Sequence, residues 1–282
     1  AQPSVGTFAL GGVNLASTDC TVEDLAFFQG CDAGGGNGGE VMLITNSDNT
    51  IRGCTITTGV AEDKCILVSG APRCIIEDNV CADSVAQTIT IFESSDCRVR
   101  RNRVTVTTTS AGIYLHGNPG DTERNIVSDN DLYRTNATSD DNANALYAFT
   151  NADDTTFERN HIHGHWYRGV RVVGNGTTVI YNNVIDLIGV TNAAIFIASV
   201  SDDAPVKVYA NTIFLDSVSD ANVINFSTSV DVKNNILIQG TNIYYLSGAG
   251  DLESDYNTFR YASRGTPFNT DLIKPGCVVI NC

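Results

Sequence analysis

The chain has 282 residues, 42% of them hydrophobic, and a formal net charge of −15. That is enough apolar material to bury a substantial core, while the acidic balance excludes nucleic acid as a partner, because phosphates need a basic patch. No run approaches the roughly 18 apolar residues of a membrane span, so none is expected.

Glycine, asparagine, threonine, valine and isoleucine are abundant, and methionine and tryptophan occur once each. This composition suits strands and turns, not helices. Taken in chain order, one short pattern recurs: an apolar residue, two variable residues, a central residue, one variable residue and an apolar residue. "VEDLAF" and "IRGCTI" open the series with Leu25 and Cys54 at the centre. "IEDNVC", "VRRNRV", "VSDNDL", "FERNHI", "IYNNVI", "VYANTI" and "VKNNIL" place Asn79, Asn102, Asn130, Asn160, Asn183, Asn211 and Asn235 there. "SDYNTF" adds Asn257, and successive centres lie 22 to 30 residues apart. Each repeat also carries one further apolar run, such as "VMLI", "ITI", "IYL", "LYAF", "VRVV" or "IFIA". Glycine-, asparagine- and aspartate-rich turns separate three short strands per repeat, which is a solenoid signal. No amphipathic helix of useful length interrupts them, so leucine-rich and ankyrin repeats do not fit.

These repeats resemble the right-handed parallel β-helix of the pectate-lyase-like superfamily over roughly residues 10 to 260. "GVRV" matches the first strand of a coil, "TFER" the second and "NHIH" the third. The expected fold is all-β: a single-stranded solenoid of about ten coils with an asparagine ladder, a rod of roughly 45 Å at the inter-strand spacing. Residues 1–260 form the β-helix and 261–282 an irregular C-terminal cap. Asparagine suits the turn between second and third strands, because it tolerates the left-handed conformation and bonds locally.

The register gives the nine cysteines meaning. Cys20, Cys74 and Cys97 each lie five residues before the centre of their coil. Cys74 and Cys97 belong to neighbouring coils, which brings their Cα atoms to about 5 Å and within disulfide reach. The alternative is a ladder of reduced, buried thiols. Cys277 and Cys282 are the second disulfide candidate, closing a small C-terminal loop.

Three of the four histidines alternate in "HIHGHW", at His161, His163 and His165. His161 and His163 point outward, beside Asp131 and Val184 and beside Tyr133 and Asp186. Alternating imidazoles suit a transition metal, but Gly164 is expected to end the strand before His165, which leaves an ordinary exposed face. The outward column of the first strands is the richer one: Thr90, Tyr114, Tyr147, Arg171 and Phe196, with His116 and Phe149 in the next column. Flat rings suit sugars, and an arginine grips a carboxylate. The long loop "YRTNATSDDNANA" and the segment "HWYRG" are expected to wall this face, adding His165, Trp166, Tyr167 and Arg168.

The resemblance implies a secreted or cell- or virion-surface protein that acts on polysaccharide. The leading reading is a lyase-like enzyme on an acidic, uronate-containing polysaccharide, with a glycoside hydrolase less favoured. A lyase needs a carboxylate neutraliser and a base for the C5 proton. Arg171 or Arg168 is the candidate neutraliser, and His116, Tyr147 or Tyr167 the candidate base. Tyr114, Phe149, His165, Trp166 and Phe196 are the substrate-binding candidates. No cofactor is required, although Asp121, Asp153 and Asp154 suit calcium, which takes oxygen ligands. The chain lacks the Gly-His-Gly segment of polygalacturonases, the Tyr-Gly-x-Asp-Pro-His segment of alginate epimerases and the Lys/Arg pair of chondroitinase-B-like lyases. The alternative is therefore a non-catalytic β-helix that binds glycan or builds a fibre: an adhesin, or a tail-spike-like homo-oligomer, which implies a trimer.

Overall fold

A computed structural model describes residues 13–281 apart from 30–38, 59–62, 83–85, 109, 119–120, 139, 175, 190–191, 199–204, 217–221, 240–243, 249–250 and 262–277. Among the described residues the strands form three parallel sheets of ten, ten and eleven members, each sheet taking every third strand in chain order except for the last strand of the third sheet. This is the expected parallel β-helix. The described residues contain no helix. The core between the sheets is built of aliphatic columns, such as Ile66, Ile89, Ile113, Leu146, Val170 and Ile195, with Phe157 and Phe226 also buried in it. Val278–Asn281 pairs with Thr258–Tyr261 and extends the third sheet by one strand. Most of the expected cap, with Cys277 and Cys282, lies outside the described residues.

The asparagine ladder holds the rungs in register. Asn130 shows the pattern: its Nδ2 donates to Val99 O on the preceding rung at 2.9 Å and to Asn160 Oδ1 on the next at 3.0 Å. Its backbone N–H donates to the same Oδ1 at 3.1 Å. The pattern repeats at Asn79, Asn102, Asn160, Asn183, Asn211 and Asn235. All of these side chains are at most 1% exposed. Each buried amide therefore satisfies its own polar atoms while bridging three successive coils, which is what burying it demands.

One expectation is corrected. The left-handed conformation belongs not to the ladder asparagine but to the residue before it: Asp78, Arg101, Asp129, Arg159, Asn182, Ala210 and Asn234 all have φ between 52° and 58°. That single reversed residue swings the chain so that the next side chain points inward. The corner between first and second sheets repeats the device, with Asp48, Arg73, Asp96 and Arg124 at positive φ. They turn Asn49, Cys74, Cys97 and Asn125 into the core.

Cys74 and Cys97 thus occupy successive rungs, and both are free thiols. The hydrogen bond that the Cys97 thiol donates to Cys74, and then burial, push the Cys97 thiol far up.

The reversed residues themselves point out, and their charges alternate. Arg73 pairs with Asp48 at 2.6 Å, Arg124 with Asp96 at 2.8 Å, Arg101 with Asp78 at 2.7 Å and Arg159 with Asp129 at 2.7 Å. Hydrogen bonds from these arginines hold Asp48, Asp78, Asp96 and Asp129 below the usual carboxylate range. Exposed pairs of this kind stabilise little individually, but they use up most of the arginines on the second-sheet corners.

Replacing Asn160 by alanine removes an internal ladder member and leaves buried donors and acceptors on both neighbouring rungs unpaired. Equilibrium denaturation should show a loss of about 2–4 kcal/mol. A loss within the error of the measurement would mean that the ladder does not hold the rungs.

Candidate functional site

Parallel pairing aligns Thr90, Tyr114, Tyr147, Arg171 and Phe196 in one column on the first sheet. Phe92, His116 and Phe149 align in the next. The columns merge into one aromatic patch. Ring centroids are 5.0 Å apart for Tyr114 and Tyr147, 5.5 Å for Tyr114 and His116, and 5.7 Å for His116 and Phe149. Phe92, absent from the expected set, extends the patch at 5.1 Å from His116. The same register could have found it. Thr90 is buried, whereas the rings of the patch are all half-buried.

Arg171 closes the patch. Its Cζ lies 4.6 Å from the Tyr147 centroid and 6.0 Å from that of Phe196. Its terminal nitrogen donates to Asp141 O at 3.4 Å, and its Nε has no partner. Among the described residues it forms no ion pair with a carboxylate. His116 Nδ1 likewise lacks a partner.

Burial, followed by the neighbouring Tyr147, pushes the Tyr114 phenol up. Burial also raises Tyr147 against the opposing pull of Arg171, and raises Tyr167 with help from Asp141. Burial thus favours the neutral phenol at both Tyr147 and Tyr167.

Two expected site residues are corrected. Arg168 is only 6% exposed. Its guanidinium donates to Asn192 Oδ1 at 2.9 Å and Asp141 O at 3.1 Å, and lies 4.5 Å from the rings of both Tyr167 and Phe196. It clamps the 133–145 loop onto the sheet and cannot reach a ligand. Trp166 is 1% exposed and its indole donates to His163 O at 3.0 Å, so it belongs to the core. Arg134, not anticipated, does similar work from inside. It is 1% exposed and donates to Thr108 O, Thr138 O and His165 O. His165 sits at the corner leading into the first sheet, its Nδ1 3.1 Å from Ile188 O.

The third sheet holds a second cluster. His161 is exposed, Ile162 buried and His163 half-buried, as the alternation requires. Asp131, paired opposite His161, places its Oδ1 3.3 Å from His161 Nδ1 and 2.9 Å from His163 Nε2. Among the described residues this is the only group of three such side chains whose ligand atoms converge. Asp121, Asp153 and Asp154 form no such group, so the calcium expectation finds no converging ligands. Asp153 is instead held up by burial, Glu123 and Asp154, and its Oδ1 is buried without a partner.

The family described as periplasmic copper-binding protein (NosD) matches residues 11–194. The chain belongs to the NosD family. The matched NosD segment holds the aromatic patch, Arg171 and the Asp131–His161–His163 cluster. Among solved structures, an alginate lyase from Paenibacillus sp. is similar, at 16% identity and a TM-score of 0.60 over 87% of this chain and 86% of that one. A tailspike protein mutant of E. coli bacteriophage HK620, in complex with a pentasaccharide, is similar at 15% identity and a TM-score of 0.55. This chain covers 45% of that one. At such identities the likeness shows the fold alone. No curated protein matches the sequence.

Because Arg168 ties a loop to the sheet and Arg171 does not, alanine at the two positions should separate in thermal and denaturant unfolding. Arg168→Ala should cost about 2 kcal/mol or more through lost charge-assisted bonds, and Arg171→Ala less than about 1 kcal/mol. Equal losses would refute this division of roles.

Proposed function

We propose that the chain is a secreted or surface protein that binds a uronate-containing polysaccharide along the first sheet and cleaves it by elimination. One observation carries this reading: Arg171 lies on the Tyr147 ring with no carboxylate partner among the described residues, in a chain of net charge −15. An unneutralised cation on an aromatic platform is the local exception that lets an acidic protein accept an acidic glycan. The family's periplasmic description and the fold shared with an alginate lyase and a glycan-bound tailspike support it.

In the proposed reaction a sugar ring rests on Tyr114 and Tyr147, and Arg171 pairs with its carboxylate. Neutralising that charge stabilises the carbanion formed at C5. His116, one rung before Tyr147 in the adjoining column, takes the C5 proton. The C4–C5 double bond then forms as the C4–O bond breaks. Tyr147, held protonated, supplies the proton to the departing oxygen.

The family description also names copper. The donors that fit it are Asp131, His161 and His163, because imidazole suits that ion. When bound it would supply Lewis acidity or redox chemistry, and no step above uses it.

The test is ultraviolet absorbance of the unsaturated uronate across alginate, pectate and glycosaminoglycan substrates. Product should accumulate on at least one. On that substrate His116→Ala and Arg171→Ala should each lower kcat/KM by about 100-fold or more. Glycan binding without product, in a trimeric protein, would replace catalysis with the tail-spike-like reading. No binding, or binding unchanged in Arg171→Ala, would overturn the site.

A further inference from the structure

We propose that Asp131, His161 and His163 form a site for one divalent transition-metal ion, with Cu(II) the preferred occupant, on a face the glycan reading does not use. The argument starts from the strand. His161 and His163 alternate along His161–Gly164, so both imidazoles leave the same side of the third sheet. Their rings lie parallel, 4.4 Å apart and 9° from coplanar. The preceding rung brings Asp131 directly opposite His161. One carboxylate oxygen of Asp131 then faces both rings, at 3.3 Å and 2.9 Å.

Donors about 2.0–2.1 Å from a metal lie about 2.9–3.4 Å from one another around a square or a tetrahedron. Both carboxylate–imidazole separations already fall in that range. The two imidazole donors lie within 4.8 Å of each other, which a modest rotamer change closes. An ordinary histidine–carboxylate hydrogen bond accounts for one ring on Asp131. It gives no reason for a second, parallel ring converging on the same oxygen.

The surroundings hold the donors in place. Tyr133 stacks on His163 at 4.7 Å and 18°, fixing the plane of that ring. Arg103 lies 3.9 Å from the other oxygen of Asp131, which leaves Oδ1 turned to the imidazoles. On the following rung Asp186 pairs opposite His163 and carries a further carboxylate. Two imidazoles with carboxylate support select first-row transition metals over calcium or magnesium, and among the divalent ions Cu(II) binds such donors most tightly. His161 is exposed and Asp131 and His163 are only partly buried, which leaves coordination positions open to water or a partner's ligand.

The experiment titrates chelator-stripped full-length protein with Cu(II), delivered from its glycine complex, by calorimetry and electron paramagnetic resonance. The expected result is one ion per chain, with nitrogen coupling from two imidazoles. Asp131→Asn should weaken binding by at least about tenfold, and the His161→Asn/His163→Asn double variant should lose both the site and the nitrogen coupling. Circular dichroism of each variant confirms that the fold persists. Should the double variant not fold, His161→Gln and His163→Gln singles decide the matter by each weakening binding at least about tenfold. The proposal is overturned by wild-type protein that takes up no stoichiometric Cu(II), or by variants that keep its affinity and spectrum. Glycan cleavage plays no part in the readout, so the fate of one reading leaves the other standing.

Discussion

A buried amide that bonds to the rungs before and after it is the constraint on which everything else in this molecule depends. A parallel coil has no hairpin to fix its register. Without a specified contact, one strand sliding by a residue would turn core side chains outward. The ladder from Asn79 to Asn257 removes that freedom, because each asparagine finds its partners only when successive coils align. The reversed backbone residue before each asparagine aims the amide inward, so one unusual dihedral and one polar side chain act together.

Register in turn makes columns, and columns decide chemistry. On the second-sheet corners the columns alternate in sign, and arginine and carboxylate neutralise each other rung by rung. On the first sheet the column is aromatic, and among the described residues its outward Arg171 has no such neighbour. On the third sheet a carboxylate and two imidazoles converge. The same stacking rule therefore yields a charge-neutral edge, a ring-lined face bearing a cation, and a cluster of metal-type donors.

Much of this was legible in the sequence. The repeat gave the fold, and the offset from each asparagine gave the columns, so Tyr114, Tyr147 and Arg171 stand where counting places them. Counting failed at the corners. Arg168 and Trp166 lie where the chain enters the first sheet, and there burial is set by Asp141, Asn192 and the 133–145 loop, not by alternation. Residue preference assigns the left-handed conformation to the asparagine itself, one position too late, because it cannot register that the amide is required inside. The Asp131 cluster was half visible. Pairing placed Asp131 beside His161, but the diagonal reach to His163 depends on side-chain rotamers that no spacing encodes.

The central claim is that the first sheet is a carbohydrate surface organised around Arg171. A crystal structure of the protein bound to a uronate oligosaccharide tests it most directly. The account predicts sugar rings lying on Tyr114 and Tyr147, with a carboxylate paired to the Arg171 guanidinium. An oligosaccharide seated on the second or third sheet, or a saturated crystal with that face empty, would contradict it.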